Sequence, residues 1–388
     1  MRNLYLGLLL CLGATCAAAA DLNPRPPAAE QDYQAIRQTI QHYLQGTSYN
    51  DEARIRQAFH PQADLLLAKP DQPFWKVGLP QYLAWYPPAK AGQFNGRIGE
   101  ILSIEIDGEL ASVKAEILLP QKGQRFIDLL LLKRIDRQWL IISKAAAQQS
   151  ARPTGQRVLF IVSSAHFHGN SDLPAGASFS ELVNAYAEFK RAGFTVDVLS
   201  PAGGAVPLAY IDTSDPQQKA HLYNQDFMQA LKHSKTAAEL KAADYRAVHY
   251  IGGSSAMYGV AENTEIARLV MEIYQQHQGI ISAVCHGTAG LVHLKTADGQ
   301  YLVKGKRVSG YPDAFEKQDA AYYRHFPFKL QQSIEARGGL FRHGKAGQPH
   351  VEVDGRLITG QNFQSSAGVA KAIIALLQQQ QQKPPAAP

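Results

Sequence analysis

Short apolar runs without polar alternation mark the second half of the chain, and they constrain its fold more than any other feature. Val158-Leu159-Phe160-Ile161-Val162 is the clearest of them. A strand with one face in water alternates apolar and polar residues, so an unbroken run means a strand covered on both faces. Further strand patterns lie at Thr195–Leu199, Ala247–Ile251 and Gly279–Val284. Helical stretches separate them, one from Phe179 to Ala192 and a later one with Ile266, Leu269, Val270, Ile273 and Tyr274 on one side. This alternation predicts an α/β domain over 157–378, a parallel sheet with helices on both faces. A last strand over about 350–359 and a helix over about 365–377 close it.

The first half has another rhythm. Tyr33, Ile36, Ile40, Tyr43 and Leu44 share one face of a helix. Ile104 and Ile106 lead to a turn at Asp107-Gly108, after which Ala111, Val113, Ala115 and Ile117 alternate. A second pair runs from Phe126 to Arg134, turns near Asp136-Arg137 and returns from Trp139 to Ile142. Helix first and antiparallel strands after predict a separate α+β domain over 31–148. Linkers are expected at 21–30 and 149–156, and a disordered Gln/Pro/Ala-rich tail at 379–388.

Residues 1–20 read as a secretory signal peptide: Arg2, an apolar core from Leu4 to Leu12, and small residues Ala17 to Ala20 before Asp21. A membrane-spanning helix needs about 20 apolar residues, more than this stretch supplies. A lipid anchor at Cys16 competes with that reading, but Gly13-Ala14-Thr15 lacks the Leu and small-residue pattern of such anchors. The mature protein is expected to be soluble and exported, and periplasmic in a Gram-negative host. Of the three cysteines, Cys11 and Cys16 leave with the signal. Cys285 then stands alone, and an intrachain disulfide is excluded. With 45% hydrophobic and 19% charged residues, neither a disordered chain nor a disulfide-stapled mini-protein fits. A net charge of +6 without Lys/Arg runs gives no reason to expect nucleic acid.

Chemistry concentrates at Ala283-Val284-Cys285-His286-Gly287. An apolar strand delivers one nucleophile-capable residue into a tight turn, and a helix is expected from Gly287, a strand-to-helix elbow. A thiol at a helix N-terminus is expected to favour the thiolate. The bland alternative is a buried cysteine acting as a small apolar residue. His166-Phe167-His168 offers a possible metal pair without a third ligand, so a polar loop is the preferred reading. His350-Val351-Glu352 lies in an alternating strand and reads as structural. No Gly-x-Gly-x-x-Gly or Walker loop is present, and no cofactor or metal is expected.

Residues 156–378 resemble the ThiJ/PfpI superfamily of the class I glutamine amidotransferase-like fold, in its heat-shock-chaperone and glutathione-independent glyoxalase group. The resemblance rests on Glu181, Ala192 to Asp197, Ser200 to Gly204, Tyr245 to Val248 leading to Gly252-Gly253, Ala283 to Gly287, Gly310 to Glu316, and Asp354 to Asn362. It implies a flavodoxin-like sheet with Cys285 as nucleophile and His286 as its partner. Glu181 would contact the sulfur and move protons, Glu316 would orient the histidine, and the backbone N–H groups of Gly253 and His286 would bind an oxyanion. Against these roles stand plain ones: Glu181 in a solvated first helix turn, Glu316 as an exposed loop acid, His286 supplying only its backbone. Ser254-Ser255 stands where many relatives carry His-Gly, and Phe363 where Pro often follows. Segments 46–51, 58–63, 126–128 and 139–144 resemble the nuclear transport factor two-like, lumazine-binding family, which implies a curved sheet wrapped by helices around an apolar cone. Asp128 and His60 would be pocket groups there or, more simply, fold-stabilising ones.

Together these imply a cysteine-dependent, glutathione-independent glyoxalase, a lyase turning methylglyoxal and water into lactate. The alternatives are a hydrolase of peptides or glycated adducts, and a stress holding chaperone or ligand-binding protein with Cys285 as redox sensor. The partners these readings admit are a small aldehyde, unfolded clients and a second copy of the chain in a homodimer, with no membrane span.

Overall fold

A computed structural model describes residues 27–69, 72–149 and 154–382. The predicted signal peptide and much of the predicted 149–156 linker lie outside the described residues. The first unit comprises α1 (Pro27–Ser48), α2 (Glu52–Ala58), β1 (Phe59–Lys69), β2 (Gln72–Gly78), α3 (Leu79–Leu83), β3 (Ile98–Asp107), β4 (Leu110–Leu119), β5 (Gln124–Ile135) and β6 (Gln138–Gln149). Its strands form one sheet in the order β2-β1-β6-β5-β4-β3. Neighbours are antiparallel except the parallel pair β1/β6. Ile36, Ile40, Tyr43 and Leu44 of α1 are buried against Val113, Ala115 and Ile117 of β4. Asp136 and Arg137 both take positive φ (48° and 67°) in the β5–β6 turn, as a two-residue hairpin turn of this hand requires. Helix α1 starts at Pro27, inside the stretch expected to be linker.

The second unit runs β7 (Arg157–Ile161), α4 (Phe179–Arg191), β8 (Thr195–Leu199), α5 (Pro216–Leu222), α6 (Gln225–Lys232), β9 (Tyr245–Tyr250), α7 (Thr264–Gln275), β10 (Ile280–Val284), α8 (Leu330–Ala336), β11 (Val351–Asp354), β12 (Leu357–Gly360) and α9 (Ser366–Gln382). The sheet order is β11-β12-β10-β9-β7-β8. All pairs are parallel except the edge hairpin β11/β12. The unbroken apolar runs now have their reason. Leu159, Val248, Ile281 and Leu357 pack towards Ile266, Leu269 and Ile273 of α7. Val158, Phe160, Ile280 and Ile358 pack towards α4 and α9 on the opposite face. Each such side chain contributes roughly 1.5–3 kcal/mol of burial free energy.

Two expectations need correction here. The single strand over 350–359 is a hairpin, because Gly355 at φ +61° reverses the chain after Asp354. Helix α9 continues to Gln382, into the stretch expected to be a disordered tail. The units are tied by ions. Glu100 of β3 bonds Arg157 and lies 3.3 Å from Lys235 Nζ, and both cations also reach Asp197, at 3.1 and 2.8 Å.

Candidate active site

The carboxyl ends of β7, β9 and β10 meet at one edge of the second sheet, where open α/β sheets bind ligands. Val284 ends β10 with extended backbone, and Cys285 then turns to φ +56°. A side chain in this region costs roughly 1–2 kcal/mol, so the elbow holds its cysteine under strain. The following segment, Cys285–Leu291, is a 3-10 helix and not the helix expected from Gly287. That tighter coil seats Gly287 on the end of β9, where a Cβ would lie 2.5 Å from the Tyr250 carbonyl oxygen.

Glu181 comes from the first turn of α4, whose N-cap Ser178 accepts the Glu181 N–H at 3.4 Å. The carboxyl turns into the protein rather than to water. Its Oε2 accepts the Gly252 N–H at 2.7 Å, and both it and Cys285 crowd Gly252. Gly252 has no room for a side chain, since a Cβ would stand 2.7 Å from that Oε2 and 2.9 Å from Cys285 Cβ. Burial pushes the Glu181 pKa up to about 8, against the pull of these hydrogen bonds. The carboxyl therefore carries a proton at neutral pH.

Burial also pushes the Cys285 thiol up, with Glu181 adding to it and the His286 backbone N–H opposing it. This corrects the expected low-pKa thiol: a short 3-10 turn in an apolar wall does not outweigh desolvation. The thiol needs a base to receive its proton, and His286 stands there. Its Nδ1 lies 3.5 Å from Sγ, and its Nε2 lies 2.6 Å from Glu316 Oε1. With Nε2–H donating to Glu316, the Nδ1 lone pair faces the sulfur. Tyr322 donates its hydroxyl to Glu316 Oε2 at 3.2 Å. Tyr311 stacks on the imidazole at 4.8 Å, and Phe326 meets it edge-on at 5.5 Å.

Cys285, His286, Glu181 and Glu316 are thus brought together, and all four are buried. Gly253, at φ +95°, directly follows the Gly252 N–H donor, and among the described residues no hydrogen bond uses its own N–H. The other His-bearing motifs go elsewhere. His168 turns inward, with Nδ1 3.3 Å from the Tyr258 hydroxyl, while His166 is exposed. Among the described residues, no three His, Cys, Asp or Glu are grouped to hold a metal ion. His350 pairs with Glu352 at 3.0 Å on the edge hairpin. Tyr311, Tyr322 and Phe326 were not singled out in the sequence, where only an aromatic-rich stretch after Gly310 marks them.

In the first unit, Asp128 is buried with Tyr43, which donates at 2.5 Å, and with Lys144 and Arg97 at 3.2 and 3.6 Å. His60 sits apart, accepting the Gln62 N–H at 3.2 Å.

A strained cysteine at a strand-to-helix elbow, backed by histidine and two acids on a flavodoxin-like sheet, defines the class of fold and site. Residues 173–376 match the DJ-1/PfpI family, and the chain belongs to it. Residues 31–145 match the putative lumazine-binding family. Among curated relatives, the glutathione-independent glyoxalase hsp3102 of Schizosaccharomyces pombe is 28% identical over 52% of this chain and 89% of its own length. Glyoxalase 3 of Candida albicans is 25% identical over 52% and 90%. The solved structure of the Rapid Encystment Protein 24 KDa of Francisella tularensis is similar at 28% identity, covering 57% of this chain and 99% of that one, with a TM-score of 0.54.

Proposed function

We propose that the protein is a glutathione-independent glyoxalase that converts methylglyoxal and water to lactate. The observation that carries this reading is the pairing of a nucleophile–base line, Sγ to His286 Nδ1, with a separate carboxyl whose pKa is about 8. The first makes a thiolate on demand. The second both gives and takes a proton near neutral pH, as an isomerisation between two carbons needs. The glyoxalase names of the fungal relatives support the same substrate class.

The steps follow from the positions. His286 takes the thiol proton and Sγ attacks the aldehyde carbon, while the Gly253 N–H faces the oxygen that gains charge. Glu181 protonates that oxygen to give a hemithioacetal and becomes a carboxylate. It then removes the hydrogen from the former aldehyde carbon and returns it to the former ketone carbon through an enediol, as the hydroxyl proton of the hemithioacetal passes to the former ketone oxygen. The resulting thioester is hydrolysed by one water, which releases lactate and restores the thiol. The amino-terminal pattern of residues 1–20 supports action after export from the cytoplasm.

The test is lactate formation from methylglyoxal without glutathione, run beside a peptide substrate and an aggregating client protein. Wild type should form lactate and Cys285→Ala none. Amine release from the peptide without lactate would replace the reading with a hydrolase. Suppression of aggregation that survives Cys285→Ala, again without lactate, would replace it with a chaperone.

A further inference from the structure

The His166-Phe167-His168 motif leaves its first two side chains exposed and buries the third, so that His168 is 3% exposed. A short antiparallel pairing holds it there. Ala175 N–H donates to the His166 carbonyl at 2.8 Å, and His168 N–H to the Leu173 carbonyl at 2.9 Å. The imidazole lands on the aromatic rings that back the site, stacking on Phe326 at 5.9 Å and tilting against Tyr322 at 5.4 Å. Both rings belong to the turn 321–326, whose core Ala321–His325 is a 3-10 helix. The same two residues serve the reacting groups: Phe326 meets the His286 ring edge-on at 5.5 Å, and the Tyr322 hydroxyl donates to Glu316. A second hold is polar. His168 Nδ1 lies 3.3 Å from the Tyr258 hydroxyl, which lies 2.9 Å from the His325 carbonyl oxygen. A carbonyl only accepts, so the phenol gives it its one hydrogen, and His168 Nδ1–H donates to the phenol oxygen. This relay fastens the end of the turn whose rings His168 already braces.

We propose that His168 is a positioning residue: by its ring and its relay through Tyr258 it sets the turn 321–326 so that Tyr322 and Phe326 keep the Glu316–His286 pair in line with the Cys285 thiol. This rests on the nucleophile–base line of the glyoxalase reading and deepens it. Without the imidazole, Tyr322 and Phe326 lose the wall behind them, and His286 Nδ1 is no longer held on Sγ. Transfer of the thiol proton to His286 is the step that suffers. Burial, with His325 and His286 adding to it, keeps His168 below the usual histidine range, so it is neutral at pH 7 and the thiol's pH response does not report its titration. The titratable groups facing Cys285 and His286 include Glu181, Glu316, Tyr311 and Tyr322, and the variants below leave all four in place.

The experiment follows alkylation of Cys285 by iodoacetamide across pH, together with lactate formation and the thermal midpoint. It compares wild type, His168→Ala, His168→Phe, Tyr258→Phe and the double variant His168→Phe/Tyr258→Phe. His168→Ala loses both holds: alkylation at pH 7 should slow about tenfold, the midpoint of its pH profile should rise by about one unit, and kcat should fall about as much with KM little changed. His168→Phe and Tyr258→Phe lose only the relay and keep the ring packing, so each should lose about fivefold, and the double variant no more than either alone. A merely structural histidine would lower the thermal midpoint and leave the alkylation profile of folded protein where it was, and that result overturns the assignment. Single losses that multiply in the double variant overturn it as well, because no relay would then join the two side chains. So does a His168→Phe enzyme that loses kcat at the wild-type alkylation rate, which would place the imidazole on the substrate. If His168→Ala does not fold, the phenylalanine variants decide by the same measures. A wild type that forms no lactate overturns the glyoxalase reading alone, since alkylation needs no substrate and still judges His168.

Discussion

Asp128 and Glu181 are each 1% exposed, one in each unit, and the two carboxyls live in opposite surroundings. Asp128 sits among Lys144, Arg97 and the Tyr43 hydroxyl, and every one of these is itself held by the same cluster. Among the described residues Glu181 makes no ion pair, and its carboxyl accepts the Gly252 N–H. A buried carboxyl with cations around it is tied into ion pairs that link distant parts of the fold. A buried carboxyl without them keeps a proton it can trade. Burial of an ionisable group is thus no mark of a site by itself; the missing counter-charge is.

The sharpest break between the two regions should come from Cys285→Ala, which removes the proposed nucleophile. Lactate formation should fall by more than about 10³-fold, with the urea midpoint essentially unmoved. Asp128→Ala should do the reverse. Leaving Lys144 and Arg97 buried without their carboxylate should cost about 3–5 kcal/mol in urea unfolding, with kcat per folded molecule retained. A cost under about 1 kcal/mol would dissolve the contrast drawn above.

Glu181→Gln sharpens the comparison through pH. The Glu181 pKa is near 4.3 in an unfolded chain and about 8 in the folded one. Folding therefore takes up a proton between those values, and stability should fall as pH rises from about 4.3 to 8. Glutamine has no such slope, so thermal midpoints of wild type and Glu181→Gln should diverge in favour of the variant as pH approaches 8. Parallel midpoints across that range would mean that Glu181 is not the proton holder. The smallest effect is reserved for Tyr322→Phe, which removes one hydrogen bond from Glu316. A loss of about three- to tenfold in kcat is expected, with KM and the thermal midpoint unchanged.

The sheet of the second unit was legible because its apolar runs have only one physical meaning, and the α+β character of the first followed from its alternating hairpins. The hairpin at Gly355 carried the same Asp-Gly signal as Asp107-Gly108, but the alternation that continues through both sides of the turn reads as one strand. At the site, Cys285, His286, Glu181 and Glu316 were named from local motifs and their resemblance to a family. The state of the thiol was misjudged, since desolvation depends on the walls that surround Cys285 and these come from distant segments. The partners of Asp128 escaped for the same reason: Tyr43 lies 85 positions away in the chain. Tyr322 carries no motif at all, and only folding brings its hydroxyl to Glu316.

The positive φ of Cys285 has an evolutionary reading. Glycine would occupy that backbone with no steric penalty, so on the proposed chemistry the cysteine's reactivity is what would hold it there against the backbone's own preference. A duplicated copy released from its chemistry would gain stability by drifting to glycine at this one position. Glycine at the elbow of an otherwise well-preserved homologue would then be the signature of a retired enzyme, legible from its sequence before any assay is run.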